Sequence, residues 1–306
     1  MRVRTFAAVD VGTNSVRLLI ADEQGREIER PMRMTRLGEG VDVTGRLSEA
    51  AVARTLAVLA QYRALADRHR VTRLRVTATS AARDATNSAT FFDAVERALG
   101  VRPELLCGEE EARLSFVGAT ADLPASAAPF LIVDVGGGST ELALGASSPE
   151  SLVSLQLGCV RMTERHLKSD PPTRAELAAC VDDVKRELEK AAAIERSRAR
   201  RVVGLAGTVT ALAGMQLGLE RYDAALTHHS WLTRASVERS FEALSAVPVE
   251  QRRRLLAEPA RAEVIVGGAA VLLTLMHRFD IAELQVSEHD ILDGLVASII
   301  DSDVLA

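Results

Sequence analysis

Short runs of consecutive apolar residues alternate along this chain with longer segments in which apolar positions recur every three or four residues. Uninterrupted short runs are typical of strands buried on both faces, whereas the longer spacing is typical of helices that cover a sheet. The alternation predicts a protein of the α/β class. Strands are predicted over residues 6–9, 16–21, 27–36, 74–78, 105–107, 130–133, 142–144, 151–157, 201–206 and 283–286.

Helices are predicted between these strands, and two of them have recognisable first turns. Ser48 is placed to cap one helix, and Thr173 with Glu176 has the spacing of a capping box for another. The polar residues 79–87 are predicted to form a loop, and the chain after residue 210 is mostly helical. The apolar stripes are Val52, Leu56, Leu59 and Ala66 in the first helix, Leu177, Val181, Val184 and Leu188 in the second, and Phe92, Val95 and Leu99 in a third.

One strand–turn–strand pattern occurs twice. Residues 10–15 (DVGTNS) and residues 134–140 (DVGGGST) each follow one apolar run and precede another. Each copy is a buried strand that ends in aspartate, then a glycine turn with hydroxyl side chains, then a second buried strand. A repeat of this kind predicts two related lobes, each presenting a small loop of its own.

The domain organisation follows from this repeat. Residues 120–129 are rich in alanine, serine and proline and are the most linker-like stretch. We therefore expect an N-terminal lobe over residues 1–122 and a C-terminal lobe over residues 128–306, with the last helix free to pack back on the first lobe. A ligand is expected in a cleft between the lobes, at the strand ends.

The two glycine loops have the composition of phosphate-binding loops. Glycine lets the backbone approach an anion closely, successive N–H groups form an anion-binding concavity, and hydroxyls add donors. Asp10 and Asp134 would repel phosphate directly, so we expect these strand-end carboxylates to hold a water or a divalent cation. The predicted phosphate contacts are Gly12, Thr13, Asn14 and Ser15 in the first loop and Gly136, Gly137, Gly138 and Ser139 in the second.

Gly207 and Thr208 follow a third buried strand. They serve either as an ordinary turn with a helix cap or as a further phosphate contact at a helix N-terminus. Three consecutive glutamates, Glu109 to Glu111, either complement a helix macrodipole or include a general base. Their spacing does not indicate which of the three would be that base.

Five further residues have side chains that are common in binding and catalytic sites, but no sequence motif indicates what each of them does. Arg83 and Arg161 are each either an ordinary loop arginine or a bidentate phosphate ligand. His228, His229 and His289 have no metal-ligand companions at a useful spacing, so we expect them in surface or cleft loops.

Composition narrows the class of protein. The chain has 306 residues, 47% of them hydrophobic, and a net charge of −5, which argues against a general binder of nucleic acids or membrane surfaces. Three cysteines, odd in number and without paired spacing, fit a reducing cytosol and no zinc site. Residues 264–276 form the longest apolar run, which is too short to cross a bilayer, so we expect a cytoplasmic protein.

Several motifs in the right order resemble those of the exopolyphosphatase / guanosine pentaphosphate phosphohydrolase (Ppx/GppA) family. The resemblance covers essentially the whole chain. The matching segments are residues 10–15, 78–85, 108–114, 134–141, 204–212, 267–270 and 287–294.

The resemblance implies two ribonuclease-H-like lobes of the actin, sugar-kinase and Hsp70 superfamily with the active site between them. In that family the glutamate directly before Ala-Arg is the catalytic base, which is Glu111 here. Asp134 and Glu141 match the acidic pair near a magnesium site, for which Mn²⁺ is the alternative ion. Arg83 and the three loops match phosphate contacts, and a homodimer is expected.

This chain departs from the family pattern at two places. It ends after the second lobe, without the C-terminal helical domains of longer members, so we expect shorter polyphosphate substrates. Residues 287–294 also lack the arginine that many relatives have before the acidic-Gly pair, so its anchoring role is not transferred.

The leading hypothesis is a metal-dependent exopolyphosphatase that releases terminal phosphate from inorganic polyphosphate. The alternative within the same chemistry is removal of the 5′ γ-phosphate of pppGpp. Two less favoured hypotheses are an ATP-dependent kinase, with residues 267–270 against adenosine, and a non-catalytic sensor of polyphosphate or alarmone.

Overall fold

The computed structural model describes residues 4–304, and the chain divides into two compact units. Unit 1 contains the residues up to Gly118 together with those from Asp290 onward, and unit 2 contains Ala119 to His289. The first crossing between units therefore precedes the linker-like stretch 120–129. The closing helix, which the sequence left free to pack on either lobe, belongs to unit 1.

Unit 1 is built on one mixed sheet. The strands are β1 (Thr5–Val11), β2 (Ser15–Asp22), β3 (Glu27–Glu29), β4 (Met32–Met34), β5 (Arg73–Ala78) and β6 (Glu104–Leu105). The helices that precede the first crossing are α1 (Val41–Thr44), α2 (Glu49–Arg68), α3 (Ser80–Asp84), α4 (Ser88–Leu99) and α5 (Gly108–Thr120).

Unit 2 is built on a second mixed sheet. Its strands are β7 (Phe130–Val135), β8 (Thr140–Gly145), β9 (Pro149–Leu155), β10 (Arg201–Leu205), β11 (Trp231–Thr233) and β12 (Glu283–Val286). Its helices are α6 (Cys159–His166), α7 (Arg174–Leu188), α8 (Ala206–Gln216), α9 (Ala224–Thr227), α10 (Arg234–Ser245), α11 (Val249–Leu255) and α12 (Ile265–Arg278), and α13 (Ile291–Val304) returns to unit 1.

The two sheets share one topology. The order is β3-β2-β1-β5-β6 in unit 1, with β4 also beside β2, and β9-β8-β7-β10-β12-β11 in unit 2. In each sheet the first two strands form an antiparallel hairpin, and β5 and β10 lie parallel to the first strand of their sheets, whereas the edge strand β11 is antiparallel to β12. Apart from β4 and β11, both sheets have the order third-second-first-fourth-fifth, which is that of a ribonuclease-H-like sheet. The predicted α/β class and the repeat are therefore confirmed.

Helices cover both faces of the first sheet because alternate residues of β1 are buried on opposite sides. Ala7 and Val9 pack with apolar residues of α2 and α4, whereas Ala8 packs with residues of α5 and α13. The predicted cap of α2 is confirmed, since the Ser48 side chain accepts a hydrogen bond of 3.2 Å from the amide of Ala51. In unit 2 the capping box of Thr173 and Glu176 is also confirmed.

Several element predictions were wrong in detail. Residues 27–36 form two short strands rather than one, because Pro31 has no N–H to donate within a ladder. The polar stretch 79–87 contains the short helix α3, and neither α6 nor β11 was predicted. On α2 the buried face is shifted, since Val52 and Leu56 are only partly buried. The residues buried on that helix are Ala51, Thr55, Leu59, Tyr62 and Ala66.

Among residues 4–304, no helix combines the length and the apolar content that crossing a lipid bilayer requires. Cys107, Cys159 and Cys180 are free thiols, and the latter two are buried.

Candidate functional site

The predicted site residues of unit 1 gather at one edge of its sheet. Strands β1, β5 and β6 are parallel, with Val11 opposite Ala78 and Ala78 opposite Leu105, so their carboxyl ends lie at the same edge. The loop 12–15 follows β1, helix α3 follows β5, and helix α5 follows β6. The topology therefore brings together the glycine loop, Arg83 and Glu111.

The first glycine loop is a tight turn that is bonded to its surroundings. The Gly12 amide donates to the Ser15 carbonyl at 3.0 Å, and the Ala81 amide donates to Oγ1 of Thr13 at 3.2 Å. The side chains of Thr13 and Asn14 are both buried. These bonds hold the loop against the start of α3, the helix that carries Arg83.

Glu111 and Arg83 form a direct ion pair. Nη1 of Arg83 donates to Oε2 of Glu111 at 2.6 Å and to the Leu106 carbonyl at 2.9 Å. The exposed fractions of the two side chains are only 17% and 12%. Of the three glutamates that the spacing did not distinguish, Glu110 instead pairs with Arg113 on the helix surface. The structure therefore brings together the two residues predicted as catalytic.

A buried charge network lies beside the same loop, and no sequence pattern indicated its central residue, Arg17. Asp10 and Arg17 are register partners across the first hairpin, and Nη2 of Arg17 donates to Oδ2 of Asp10 at 2.6 Å. Nη1 of Arg17 donates to Asp290 at the start of the closing segment. Burial raises the pKa of Asp10, and its other oxygen, Oδ1, is buried without a hydrogen-bond partner among residues 4–304.

The second glycine loop repeats the geometry of the first. The Gly136 amide donates to the Ser139 carbonyl at 3.0 Å, the same bond and length as between Gly12 and Ser15. A Cβ on Gly158 would lie 2.3 Å from the carbonyl oxygen of Gly137, so only glycine fits against this loop. The repeat seen in the sequence therefore extends to individual hydrogen bonds.

Arg161, whose role the sequence left open, holds the second loop through its backbone. Its Nε donates to the Gly138 carbonyl at 2.7 Å, and its amide donates to the Gly137 carbonyl at 3.3 Å. The amide of Cys159 donates to Gly136 in the same way. The first turn of α6 thus donates hydrogen bonds to the loop carbonyls.

Two carboxylates face each other on the second hairpin. Asp134 and Glu141 are register partners of β7 and β8, and side chains of register partners lie on the same face of a sheet. Both are buried, and Oε1 of Glu141 accepts from the Ser154 hydroxyl at 2.7 Å.

The two hairpins therefore differ in charge at equivalent positions. In unit 1 the strand-end Asp10 faces the cation Arg17, whereas in unit 2 Asp134 faces a second carboxylate. A pair of carboxylates is an oxygen-only donor set of the kind that suits Mg²⁺. Asp134 and Glu141 fit a divalent cation, and Asp10 retains only Oδ1 for one, since Oδ2 is bonded to Arg17.

The third loop is the first turn of α8. Because β10 runs parallel to β7, with Leu205 opposite Asp134, this turn lies at the same edge as the second glycine loop. A Cβ on Gly207 would lie 1.8 Å from Nη1 of Arg261, a residue that no sequence pattern singled out. The helix has no side-chain cap, so Thr208 does not cap it.

Residues 267–270, which the kinase hypothesis placed against adenosine, are buried in helix packing. A Cβ on Gly267 would lie 2.5 Å from Oγ1 of Thr163, and one on Gly268 would lie 2.5 Å from Oγ1 of Thr208. These glycines let α12 approach α6 and α8 closely. This packing argues against the kinase hypothesis, in which these residues contact adenosine.

His228, His229 and His289, for which the sequence showed no neighbouring metal-ligand residue, lie around one carboxylate. Oδ2 of Asp122 lies 2.9 Å from Nε2 of His228 and 3.0 Å from Nε2 of His229, and His289 is adjacent. No local spacing shows this group because its members come from three separate segments.

Comparison with known proteins places the chain among phosphatases. The model of the Ppx/GppA phosphatase family matches residues 19–303. Exopolyphosphatase 2 of Mycobacterium tuberculosis is 43% identical over 317 residues, covering 98% of this chain and 99% of that protein. The guanosine-5′-triphosphate,3′-diphosphate pyrophosphatase of Aeromonas hydrophila is 34% identical over 69% of this chain and 44% of that protein. A crystal structure of an exopolyphosphatase-like protein superimposes with a TM-score of 0.94 at 36% identity, covering 97% of this chain and 99% of that one.

Proposed function

Because the chain belongs to the Ppx/GppA phosphatase family, we propose that it is an exopolyphosphatase, a phosphoanhydride hydrolase that releases terminal phosphate from inorganic polyphosphate. The observation that carries this proposal is the 2.6 Å pair between Arg83 and Glu111. The guanidinium orients the carboxylate, and the same cation offsets negative charge on a phosphoryl group. Positioning and charge neutralisation are the main requirements of phosphoryl transfer.

In the proposed reaction Glu111 accepts a proton from the attacking water. The water oxygen forms a bond to the terminal phosphorus as the bridging P–O bond breaks, and the shortened polyphosphate leaves with the bridging oxygen. Arg83 offsets charge on the phosphoryl oxygens, which is the role of cationic clamps in transfers of this kind.

The glycine loops supply donors for phosphate oxygens in this proposal. The donors come from Thr13, Asn14 and Ser15 in the first loop, Gly137, Gly138 and Ser139 in the second, and Gly207 and Thr208 in the third. Gly12 and Gly136 shape the two turns, because their amides are bonded to the Ser15 and Ser139 carbonyls. Arg161 is a positioning residue for the second loop, and Arg261 adds positive charge beside the third.

Asp134 and Glu141 would hold a divalent cation, and in the first hairpin Oδ1 of Asp10 is the oxygen that could accept a cation or a water. Such a cation, when bound, neutralises charge on phosphate oxygens. We assign Mg²⁺, with Mn²⁺ as the alternative, because the donors are carboxylate oxygens.

We also propose a cytoplasmic location, which the free thiols favour, and a homodimer.

The second candidate function is hydrolysis of pppGpp, which similarity to the Aeromonas hydrophila protein favours. That similarity covers a smaller share of this chain than the similarity to exopolyphosphatase 2 does.

Orthophosphate release should be measured with polyphosphates of defined length, pppGpp and ATP at one fixed Mg²⁺ concentration. We expect kcat/KM to be highest for polyphosphate. A higher value for pppGpp would replace the first function by the second, and no release from any substrate would indicate a sensor.

A further inference from the structure

Four side chains that the proposed reaction does not use form a cluster in unit 2. Asp122 lies between α5 and β7, His228 and His229 lie between α9 and β11, and His289 is the last residue of the unit. Ligand-type atoms of Asp122, His228 and His229 all lie within 4.8 Å of one another. Nδ1 of His289 lies 3.5 Å from Oδ2 of the same aspartate. Oδ2 of Asp122 thus lies within 3.5 Å of a nitrogen of each of the three imidazoles.

The backbone of His229 is strained to make this arrangement. Its φ is +61°, in the left-handed region that non-glycine residues rarely adopt. The His229 amide donates to the Val286 carbonyl at 2.8 Å, which holds that conformation. As a result the rings of His228 and His229 stack with centroids 3.8 Å apart. Strain of this kind is typical of functional sites.

Hydrogen bonds assign different roles to the imidazoles. The Glu288 amide donates to Nδ1 of His228 at 3.1 Å, so the neutral ring carries its proton on Nε2. That proton is donated to Oδ2 of Asp122 at 2.9 Å. Both nitrogens of His228 are therefore occupied, and its role is to orient the Asp122 carboxylate.

His229 and His289 retain nitrogens that can act as ligands. Nε2 of His229 lies 3.0 Å from Oδ2 of Asp122, and Nδ1 of His289 is buried and has no hydrogen-bond partner among residues 4–304. Ligand atoms of a tetrahedral zinc ion, each about 2.0–2.1 Å from the metal, are about 3.3 Å apart. The two separations from the Asp122 oxygen, 3.0 and 3.5 Å, lie on either side of that value. The group whose ligand atoms all lie within 4.8 Å of one another consists of Asp122, His228 and His229, so binding of an ion by His289 requires its ring to move toward His229.

We propose that Asp122, His229 and His289 bind one divalent first-row transition-metal ion, with His228 as a positioning residue for the carboxylate. Imidazole nitrogen with carboxylate oxygen is a donor set that suits Zn²⁺ and its neighbours, whereas Mg²⁺ prefers oxygen alone. The site is separate from the carboxylate pair Asp134 and Glu141. Asp122 lies just after the chain enters unit 2 and His289 just before it leaves, so a bound ion would fasten both ends of the unit together.

The test is a zinc titration of the full-length protein in the presence of excess Mg²⁺, which occupies oxygen-only sites. We expect one Zn²⁺ per chain with a Kd below about 1 μM. H229A and H289A should each weaken binding at least tenfold, and H228Q should weaken it less. The matched control is H277A, which removes an exposed histidine of α12 and should leave the affinity unchanged.

Two further measurements keep the proposal falsifiable. Phosphate release by H229A and H289A shows whether these variants fold. X-ray absorption at the zinc edge of the wild-type protein should show nitrogen ligands at about 2.0–2.1 Å. Equal zinc affinity of the wild type, H229A and H289A would overturn the proposal, as would an oxygen-only shell or a wild-type Kd weaker than about 100 μM.

Discussion

Nη1 of Arg83 donates a 2.6 Å hydrogen bond to Oε2 of Glu111, although the two residues lie on different helices that follow different strands of the same sheet. The pair forms because β5 and β6 are parallel neighbours, so the helices that follow them begin at one edge. Neither side chain is more than about one-sixth exposed, at 17% and 12%. A guanidinium and a carboxylate are thereby fixed together in this phosphoanhydride hydrolase of the Ppx/GppA family.

Replacement of Glu111 by glutamine should abolish most of the catalysis. The amide cannot accept the proton of the attacking water, and loss of a general base typically costs about 10²- to 10⁴-fold in rate. Single-turnover phosphate release measures the loss, and polyphosphate binding should persist. E109Q is the matched control on the exposed side of the same helix turn and should retain activity. Near-full turnover by E111Q would show that another residue is the base.

Replacement of Glu141 by glutamine should raise the Mg²⁺ concentration required for half-maximal phosphate release at least tenfold. The reason is that the variant halves the negative charge of the Asp134–Glu141 pair. Excess Mg²⁺ should restore part of the rate. E150Q, on the exposed part of β9, should leave the metal requirement unchanged. If E141Q lowers the rate without changing the Mg²⁺ dependence, the metal assignment is wrong.

Replacement of Arg17 by methionine should lower the free energy of unfolding by about 3–5 kcal/mol, because two buried carboxylates, Asp10 and Asp290, would lose their shared cation. The surface pair of Arg26 with Asp22 provides the comparison, since the Arg26 side chain is 74% exposed. R26M should change stability by less than about 1 kcal/mol. Urea denaturation measures both, and equal effects of the two variants would refute the buried-network argument.

A side chain at Gly294 should separate α13 from α5. A Cβ there would lie 2.2 Å from the Leu114 carbonyl oxygen, so G294A should destabilise the protein by about 3 kcal/mol. The contrasting variant is G214A in α8, where the nearest atoms are 3.9 Å away. Alanine there should stabilise the protein by about 0.5–1 kcal/mol, since glycine is a poor helix former. Thermal denaturation should therefore show shifts of opposite sign.

The pH dependence of stability should include a contribution from Asp183. Burial raises the pKa of this carboxyl, but hydrogen bonds from His166 and Arg165 outweigh burial and lower the pKa to about 2. A lowered folded-state pKa stabilises the fold above the ordinary value of 3.8, and this stabilisation is lost as pH falls toward 2.

D183N should accordingly be less stable than the wild type at pH 7, and the difference should shrink between pH 5 and about 3. D182N, a change to the exposed neighbour, should show no such trend. Urea midpoints at several pH values measure the effect, and a difference that does not vary with pH would contradict it.

Local patterns were sufficient for much of the fold. Apolar runs predicted the hairpins, Ser48 and the pair Thr173 and Glu176 predicted helix starts, and the doubled glycine loop predicted two related sheets. Each of these signals depends on residues close together in the chain, because caps, turns and strand alternation are local properties. The motif Glu-Ala-Arg similarly singled out Glu111 by resemblance.

Only the tertiary structure decided which distant residues meet. Within the first hairpin the sequence assigned Asp10 to a cation but not to Arg17, because the register that makes them partners depends on turn geometry as well as on the apolar pattern. It also gave no sign that Gly267 and Gly268 are packing positions, or that Asp122 meets His228, His229 and His289. Such contacts join segments more than 50 residues apart, as the bond between Glu288 and His228 does with its separation of 60. Their geometry depends on how helices and strands pack, which no local periodicity encodes.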